Sequence, residues 1–276
     1  MRAVMVREWT DFENLKLEHD VSVPQLGAHQ VRIAIRTSAV SIALTLFVSR
    51  RYQLKPPLSF VPGSEVAGII TEVGPEVDRF KPGDCVVAVA DWGGLSEETV
   101  VDDATVYPLP DAIPFHLAVS LTPSYVTSLA ALTWSHLLNV QAGETLLVHG
   151  SAGGVGLAAV EIGKILGATV IATAGTDEKC QFISDRGADY VINYREQSFR
   201  EPVLDLTHGR GAHAIYDPVG GEVFMQSLRC IAPEGRTCPI GFAGGDDSPN
   251  PGQHLAGQEC DCVRFKPRLL LRLESS

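Results

Sequence analysis

The sequence predicts an α/β chain of two domains, a β-rich N-terminal part followed by a doubly wound parallel sheet. Three observations predict it. The chain has 276 residues, more than one ordinary domain of this kind needs. Up to about residue 110, short alternating apolar runs are broken by Pro and Gly, the punctuation of a barrel or sandwich. From residue 145 to about 245, strands and helices alternate strictly, which implies a parallel sheet covered by helices on both faces.

The elements follow in order. HQVRIAIRT sets Val31, Ile33 and Ile35 against Arg32 and Arg36, the period of a half-buried strand. EVAGIITEVG (65–74) and DCVVAVA (84–90) are further strands, with turns at Pro75, Pro82 and Gly83 between them. FHLAVSLTPSYVTSLAALTWSHLLNV has few breakers and reads as one or two helices. TLLVH (145–149), ATVIATA (168–174), DYVINY, AHAIYDPV and RTCPIGF read as five strands. The helices between them are GVGLAAVEIGKIL (154–166), DEKCQFISDRG, SFREPVLDLTHG and EVFMQSLRCIA. The domain boundaries expected are 1–120, 121–245 and a separate tail, 246–276.

Composition narrows the function. The chain is 45% hydrophobic and 20% charged, with a formal net charge of −11. Such a chain fills a core and is poorly suited to phosphate backbones or anionic membranes, so neither nucleic acid nor membrane is an expected partner. Glu8, Asp11 and Glu13 interrupt the N-terminal segment, which lacks the apolar run of a leader or span. Cys85, Cys180, Cys230, Cys238, Cys260 and Cys262 form no CxxC pair and no zinc-finger spacing. Reduced thiols in a cytoplasmic protein are the expectation.

The strongest local signal is Gly150-Ser151-Ala152-Gly153-Gly154-Val155-Gly156, between a buried strand and a helix. Glycines let the backbone turn tightly against a pyrophosphate, and a helix N-terminus adds unpaired N–H groups and a positive dipole end. The pattern is not a strict GxGxxG, so its flanking strand, helix and second strand carry the weight. That second strand ends in Ala172-Thr173-Ala174-Gly175, without the acid that bonds a ribose 2′-OH in NAD sites. Asp177 comes later, at the expected start of the next helix. The missing acid and nearby Lys179 favour a 2′-phosphate, hence NADPH, although any single lysine is by default a solvated surface charge.

With these residues in place, the chain resembles the zinc-free quinone oxidoreductases of the medium-chain dehydrogenase/reductase superfamily, the group that includes zeta-crystallin. The resemblance rests on YQLKPPLSFVPGSEVAGIITEVG (52–74), FKPGDCVVA (80–88), VTSLAAL (126–132), AGETLLVHGSAGGVGLAAVEIGK (142–164), GADYVINYRE (187–196) and YDPVGGEVFMQSLRCIAPEGR (216–236), in that order. It implies a GroES-like catalytic domain and a Rossmann domain with a cleft between them. It implies that Gly153, Gly154, Val155 and Gly156 hold the pyrophosphate, that Lys179 and Tyr194 contact the 2′-phosphate, and that Thr127 and the Gly241-Phe242 backbone lie near the nicotinamide. Tyr52 would face the substrate as proton donor or polar orienter. Ser41 stands where the family has a cleft amide, and Leu44 where it has an acid. Ser64 occupies the place of the ligating histidine of zinc-dependent relatives, whose four-cysteine lobe is also absent, so no metal is expected. The implied reaction is hydride transfer to a quinone or an α,β-unsaturated carbonyl. An enoyl-thioester reductase and a non-catalytic NADPH-binding protein are the alternatives.

The resemblance is expected to stop near Gly245. Beyond it, the codons allowed for Asp246 to Ser276 can be chosen so that reading one base later gives the family's continuation; PNPGQHLAGQE, for instance, yields Gln-Ile-Pro-Ala-Asn-Ile-Leu-Leu-Val-Lys. The expectation is a frameshifted or disordered tail, a C-terminally incomplete sheet lacking its sixth strand, and a family-type homodimer only where the C-terminus is intact.

Overall fold

The computed structural model describes residues 1–52, 54–244 and 261–262. The chain forms two compact units, divided between Thr122 and Pro123.

In the first unit, β1 (Ala3–Met5) and β2 (Lys16–Glu18) pair antiparallel. Neither was marked in the sequence, because three residues are too few for an alternation to show. Five strands, β3 (Gln30–Ser38), β4 (Glu65–Val73), β5 (Cys85–Val89), β6 (Glu98–Asp102) and β7 (Val106–Pro108), form an antiparallel sheet in the order β6-β3-β4-β5-β7. The alternation expected of β3 is realised: Val31 and Ile33 are buried with Val66, Ile70, Val86, Ala88 and Val106. The helix α1 (Ile42–Val48) was not anticipated. It sends Leu44, Phe47 and Val48, at helical spacing, into a separate cluster with Val6 and Phe60.

One helix, α2 (Phe115–Thr133), fills the stretch for which one or two were expected. It ends before Trp134, and turns that bond Trp134 N–H to Ala130 and Leu138 N–H to Ala131 occupy the following segment. Length and a mean hydropathy of 1.2 would let α2 cross a membrane by composition alone. Its C-terminal residues Ala130, Ala131 and Leu132 are buried in the second unit's core, whereas Leu117, Leu121, Val126 and Leu129 are exposed.

The second unit carries a parallel sheet of β8 (Thr145–Val148), β9 (Thr169–Ala174), β10 (Tyr190–Asn193), β11 (Ala212–Asp217), β12 (Ile231–Pro239) and β13 (Asp261–Cys262), in the order β10-β9-β8-β11-β12-β13. The helices α3 (Gly154–Ile165), α4 (Asp177–Ser184), α5 (Arg200–Leu206) and α6 (Gly221–Ser227) connect the strands. Period-2 alternation splits the central strands between two clusters. Leu146, Val148, Val170, Ala172 and Tyr216 belong to one, and Leu147, Ile171 and Ile215 to the other. Burial on both faces is why these strands read as continuous apolar runs.

One expectation is corrected. The sixth helix stops at Ser227 and β12 begins at Ile231, so Ile231 and Ala232 are strand rather than helix. The ladder shifts register between Ala212 and Ala214, with Glu234 at φ 59°, and this bulge broke the period that would have shown it. Beyond the five strands expected, Asp261–Cys262 pairs parallel to Arg236 and Thr237 over two residues. The rest of the tail for which a second reading frame was inferred lies outside the described residues.

Just before β8, the Arg236 guanidinium grips Glu144 with two bonds of 2.7 and 2.6 Å and donates to the Leu138 carbonyl at 2.8 Å. Burial acts to raise the Glu144 carboxyl; bonds from Arg236 and Gln141 outweigh it and hold the group below its ordinary 4.5. The stabilisation is therefore complete above about pH 4.5 and is lost as pH falls through the lower folded-state value. Arg236→Ala should cost about 2 kcal/mol at neutral pH. In urea melts across pH, Glu144→Gln should flatten the wild-type loss of stability below that value.

Candidate functional site

The site grows from the turn between β8 and α3. Gly150 has φ 55°, a left-handed conformation that suits glycine. The Gly153 N–H donates to the Gly150 carbonyl at 2.9 Å and closes the turn. A Cβ on Gly156 would stand 2.4 Å from that same carbonyl oxygen, so only glycine allows the helix to start so close to the strand. Ser151 locks the turn to β9: its N–H donates to the Thr173 carbonyl at 3.1 Å, its hydroxyl donates to the Val148 carbonyl at 2.7 Å, and it accepts from Thr173 N–H at 3.2 Å. Gly153 caps α3 and has no side chain to occupy the first-turn N–H groups. Gly153 and Gly154 are exposed, Val155 half-buried and Gly156 buried. An exposed, glycine-capped helix start is a fit for an anionic group. It is the feature the sequence placed there.

The helix α2 runs beside this turn. The Ser128 hydroxyl lies 2.9 Å from the Val155 carbonyl and 2.7 Å from the Tyr216 hydroxyl, and the Ser124 hydroxyl lies 2.7 Å from where a Gly154 Cβ would be. Thr127 is buried on the same helix segment. Burial also raises the Tyr216 hydroxyl well above the ordinary tyrosine range, so it stays a neutral hydrogen-bonding group.

At the end of β9, Gly175 is buried beneath Tyr194: a Cβ there would meet the tyrosine hydroxyl at 2.6 Å and the Arg195 Nε at 3.4 Å. Thr176 caps α4, accepting from the Lys179 N–H at 3.3 Å, and Asp177 is the helix's first residue. The Asp177 carboxylate accepts from the Asn193 amide at 2.8 Å. The structure thus brings Tyr194 to the strand end and puts Lys179 on an exposed helix turn just after it. Arg195 was missed. Its signal was present in GADYVINYRE, as a cation two residues after a strand whose last residue pairs with Ala174.

Gly241 and Phe242 follow β12. Their segment is bonded to the end of β11 and the residues after it: Ile240 N–H to the Asp217 carbonyl, Ala243 N–H to Pro218 and Gly244 N–H to Val219, at 2.7 to 3.1 Å. The Phe242 ring lies 2.8 Å from where a Gly220 Cβ would be. Beneath, His149 is fully buried and spans the Thr173 hydroxyl at 3.1 Å and the Ser227 hydroxyl at 2.8 Å. Burial lowers its pKa, against the pull of Asp217, and the ring is neutral at physiological pH.

In the first unit, Tyr52 packs edge-on against Phe47, with ring centroids 5.8 Å apart, and its N–H donates to the Leu46 carbonyl. Ser41 is the exposed N-cap residue of α1, with no hydroxyl bond to the helix. Leu44 is a core residue of α1. The Ser64 hydroxyl donates to Glu65 at 2.9 Å. Among the described residues, no three His, Cys, Asp or Glu side chains converge.

Comparison with known proteins agrees with both units. Residues 27–111 match the alcohol dehydrogenase GroES-like domain, and residues 154–263 match a family described as zinc-binding dehydrogenase. The chain is 38% identical over 264 residues to a Nematostella vectensis protein named quinone oxidoreductase-like protein 2 homolog, covering 95% of this chain and 71% of that one. A mycobacterial structure complexed with NADPH superposes with a TM-score of 0.91 at 33% identity, covering 99% and 84% of the two chains. The Escherichia coli quinone oxidoreductase complexed with NADPH gives 0.88 at 27%, covering 97% and 82%. The similarity reaches past residue 245, where the resemblance was expected to stop.

The Gly150 carbonyl leaves no room at residue 156, so Gly156→Ala must displace the turn or the helix start. It should lose about 1–3 kcal/mol of stability. Calorimetric titration should show its affinity for pyridine dinucleotides falling at least about tenfold.

Proposed function

Because the chain belongs to the quinone oxidoreductase-like family of the medium-chain dehydrogenase/reductase superfamily, we propose that it transfers a hydride from NADPH to a quinone or an α,β-unsaturated carbonyl without zinc. One observation carries the coenzyme half of this reading. The glycine turn fits a pyrophosphate, and the adjoining strand end offers Gly175 under a tyrosine hydroxyl and a guanidinium where NAD sites place an acid. Gly153, Gly154, Val155 and Gly156 would hold the pyrophosphate. Lys179, Tyr194 and Arg195 would hold the 2′-phosphate. Thr127, Gly241 and Phe242 would flank the nicotinamide. Two of the structural relatives are described as NADPH complexes, which supports the choice.

The bound coenzyme would supply the hydride. The chain's own residues have to orient the acceptor and deliver a proton to it. Tyr52 is our candidate for that donor or orienter, held by Phe47 on one side, with Ser41 a further polar contact. Ser64 supports the metal-free reading, because a neutral hydroxyl already engaged with Glu65 replaces the imidazole a catalytic zinc would need. Without a Lewis acid, an alkoxide is poorly stabilised, while a quinone or enone spreads the incoming charge over its own conjugated system.

Turnover is tested by NADPH oxidation against a panel of small quinones and a panel of enones. Consumption with at least one, unaffected by chelators, is expected; tight NADPH binding with no turnover on either panel would sink the enzymatic reading. Coenzyme choice has its own test. A charge-assisted bond to phosphate is worth roughly 1.5–3 kcal/mol, or about ten- to a hundredfold in affinity. Lys179→Ala should therefore remove most of the preference for NADPH over NADH and leave NADH binding nearly unchanged. Equal weakening of both coenzymes would return this lysine to the status of a solvated surface charge.

A further inference from the structure

The carboxylate of Asp217 is the most unusual polar group in the second unit. The residue ends β11 and is fully buried. Its Oδ1 accepts two backbone N–H groups, from Val219 at 2.8 Å and Gly220 at 3.0 Å. Its Oδ2 is buried without a hydrogen-bond partner among the described residues. A carboxylate oxygen left in that state is costly, and an apolar residue would end a buried strand at less expense. The cost calls for a role that the strand itself does not provide.

The bonds of Oδ1 show one. They fix the backbone of residues 218–220 in a tight turn, with Gly220 at φ 72°. That turn in turn fixes the segment bearing Gly241 and Phe242. The Pro218 and Val219 carbonyls accept from Ala243 and Gly244 at 3.1 and 2.9 Å, the Pro218 carbonyl lies 3.3 Å from where a Gly241 Cβ would be, and the Phe242 ring covers Gly220. The turn also abuts the phosphate-binding loop, since a Cβ on Gly150 would meet Pro218 at 3.3 Å and Val219 at 3.4 Å. Alongside the backbone bond from Ile240 N–H to the Asp217 carbonyl, this carboxylate oxygen thus helps set the position of residues 241 and 242 relative to the glycine turn.

Resting on the coenzyme reading above, we infer that Asp217 is a positioning residue for the nicotinamide half of the coenzyme: by holding the 218–220 turn it sets the Gly241-Phe242 backbone, without a part in binding the adenine half. The glycine turn at 150–156 and the Gly175 end of β9 are built from their own bonds to Thr173, Val148 and Ala174. None of these bonds involves the Asp217 side chain, and the 218–220 turn touches this loop only by van der Waals contact at Gly150, so the two halves of the coenzyme should respond differently to its loss.

Titration of two ligands separates them. NADPH carries both halves, and 2′-phospho-ADP-ribose lacks the nicotinamide. Asp217→Ala should weaken NADPH at least tenfold and 2′-phospho-ADP-ribose less than twofold. Asp217→Asn, which keeps the Oδ1 acceptor, should stay within threefold of wild type for both. Gly220→Ala provides the same reading should the alanine variant not fold, because its Cβ would push Phe242 aside from the other face of the turn. It too should weaken NADPH and spare the fragment. Variants that weaken both ligands alike, or neither, would overturn the assignment of Asp217. Failure of the wild-type protein to bind either ligand would be a different result, removing the coenzyme reading itself.

Discussion

The second unit depends on one close approach, that of the Gly156 backbone to the Gly150 carbonyl. A strand end and a helix start come together there at a distance no side chain permits, and everything arranged around the turn takes its place from that contact. The helix α3 begins without a side-chain cap, so its first N–H groups face outward and the positive end of its dipole is left accessible. Ser151 converts a flexible glycine loop into a fixed one by bonding both to its own strand and to the neighbouring one. Ser128, from α2, reaches the Val155 carbonyl on the far side. A preorganised turn of this kind loses little conformational entropy when a phosphate group arrives, and affinity rises accordingly.

The polar groups under the strand ends keep the surrounding loops in register with that turn. His149 follows β8 and reaches a β9 hydroxyl on one side and an α6 hydroxyl on the other. A neutral imidazole can donate with one nitrogen and accept with the other, and burial ensures that it stays neutral. Asp217 at the end of β11 does comparable work with a charge, satisfying two N–H groups that would otherwise be orphaned in a buried turn. Both residues lie at the carboxyl ends of parallel strands, where open α/β sheets bind their ligands. Both were silent in the sequence, because a lone His or Asp at a strand end carries no period or spacing.

Legibility followed the length and regularity of each signal. The central strands of the parallel sheet were readable because two-sided burial gives unbroken apolar runs, and the glycine turn because three glycines within four residues, Gly153, Gly154 and Gly156, are rare outside a close backbone approach. The helix α1 was not, since its seven residues make barely two turns and its apolar positions match a strand as well as a helix. The start of β12 was hidden by a bulge at Glu234, which breaks the alternation. Of the site, Tyr194 was legible through a motif, and the structure gives the motif its reason: the hydroxyl lies over Gly175, where any larger residue would displace it. Arg195 and Asp217 lay inside quoted motifs, yet their importance comes from neighbours distant in sequence, Gly175 in one case and the 241–244 segment in the other.

The first unit constrains the chemistry by what its side chains have become. Leu44 stands where the resembling family has an acid, and it is buried with Val6, Phe47 and Phe60. An ionised carboxylate among these apolar side chains would be costly without a partner, so the leucine suits the packing. Ser64 shows the same logic in a polar setting, its hydroxyl turned to the adjacent carboxylate. A serine in that position can hold a carboxylate in place but cannot carry the charge that a metal would. On the proposed metal-free reading, any negative charge formed during reduction would have to be accommodated by the acceptor itself and by hydrogen-bond donors. This is a physical ground for expecting conjugated acceptors, and it depends on the identity of two residues whose surroundings were settled by packing before any substrate arrives.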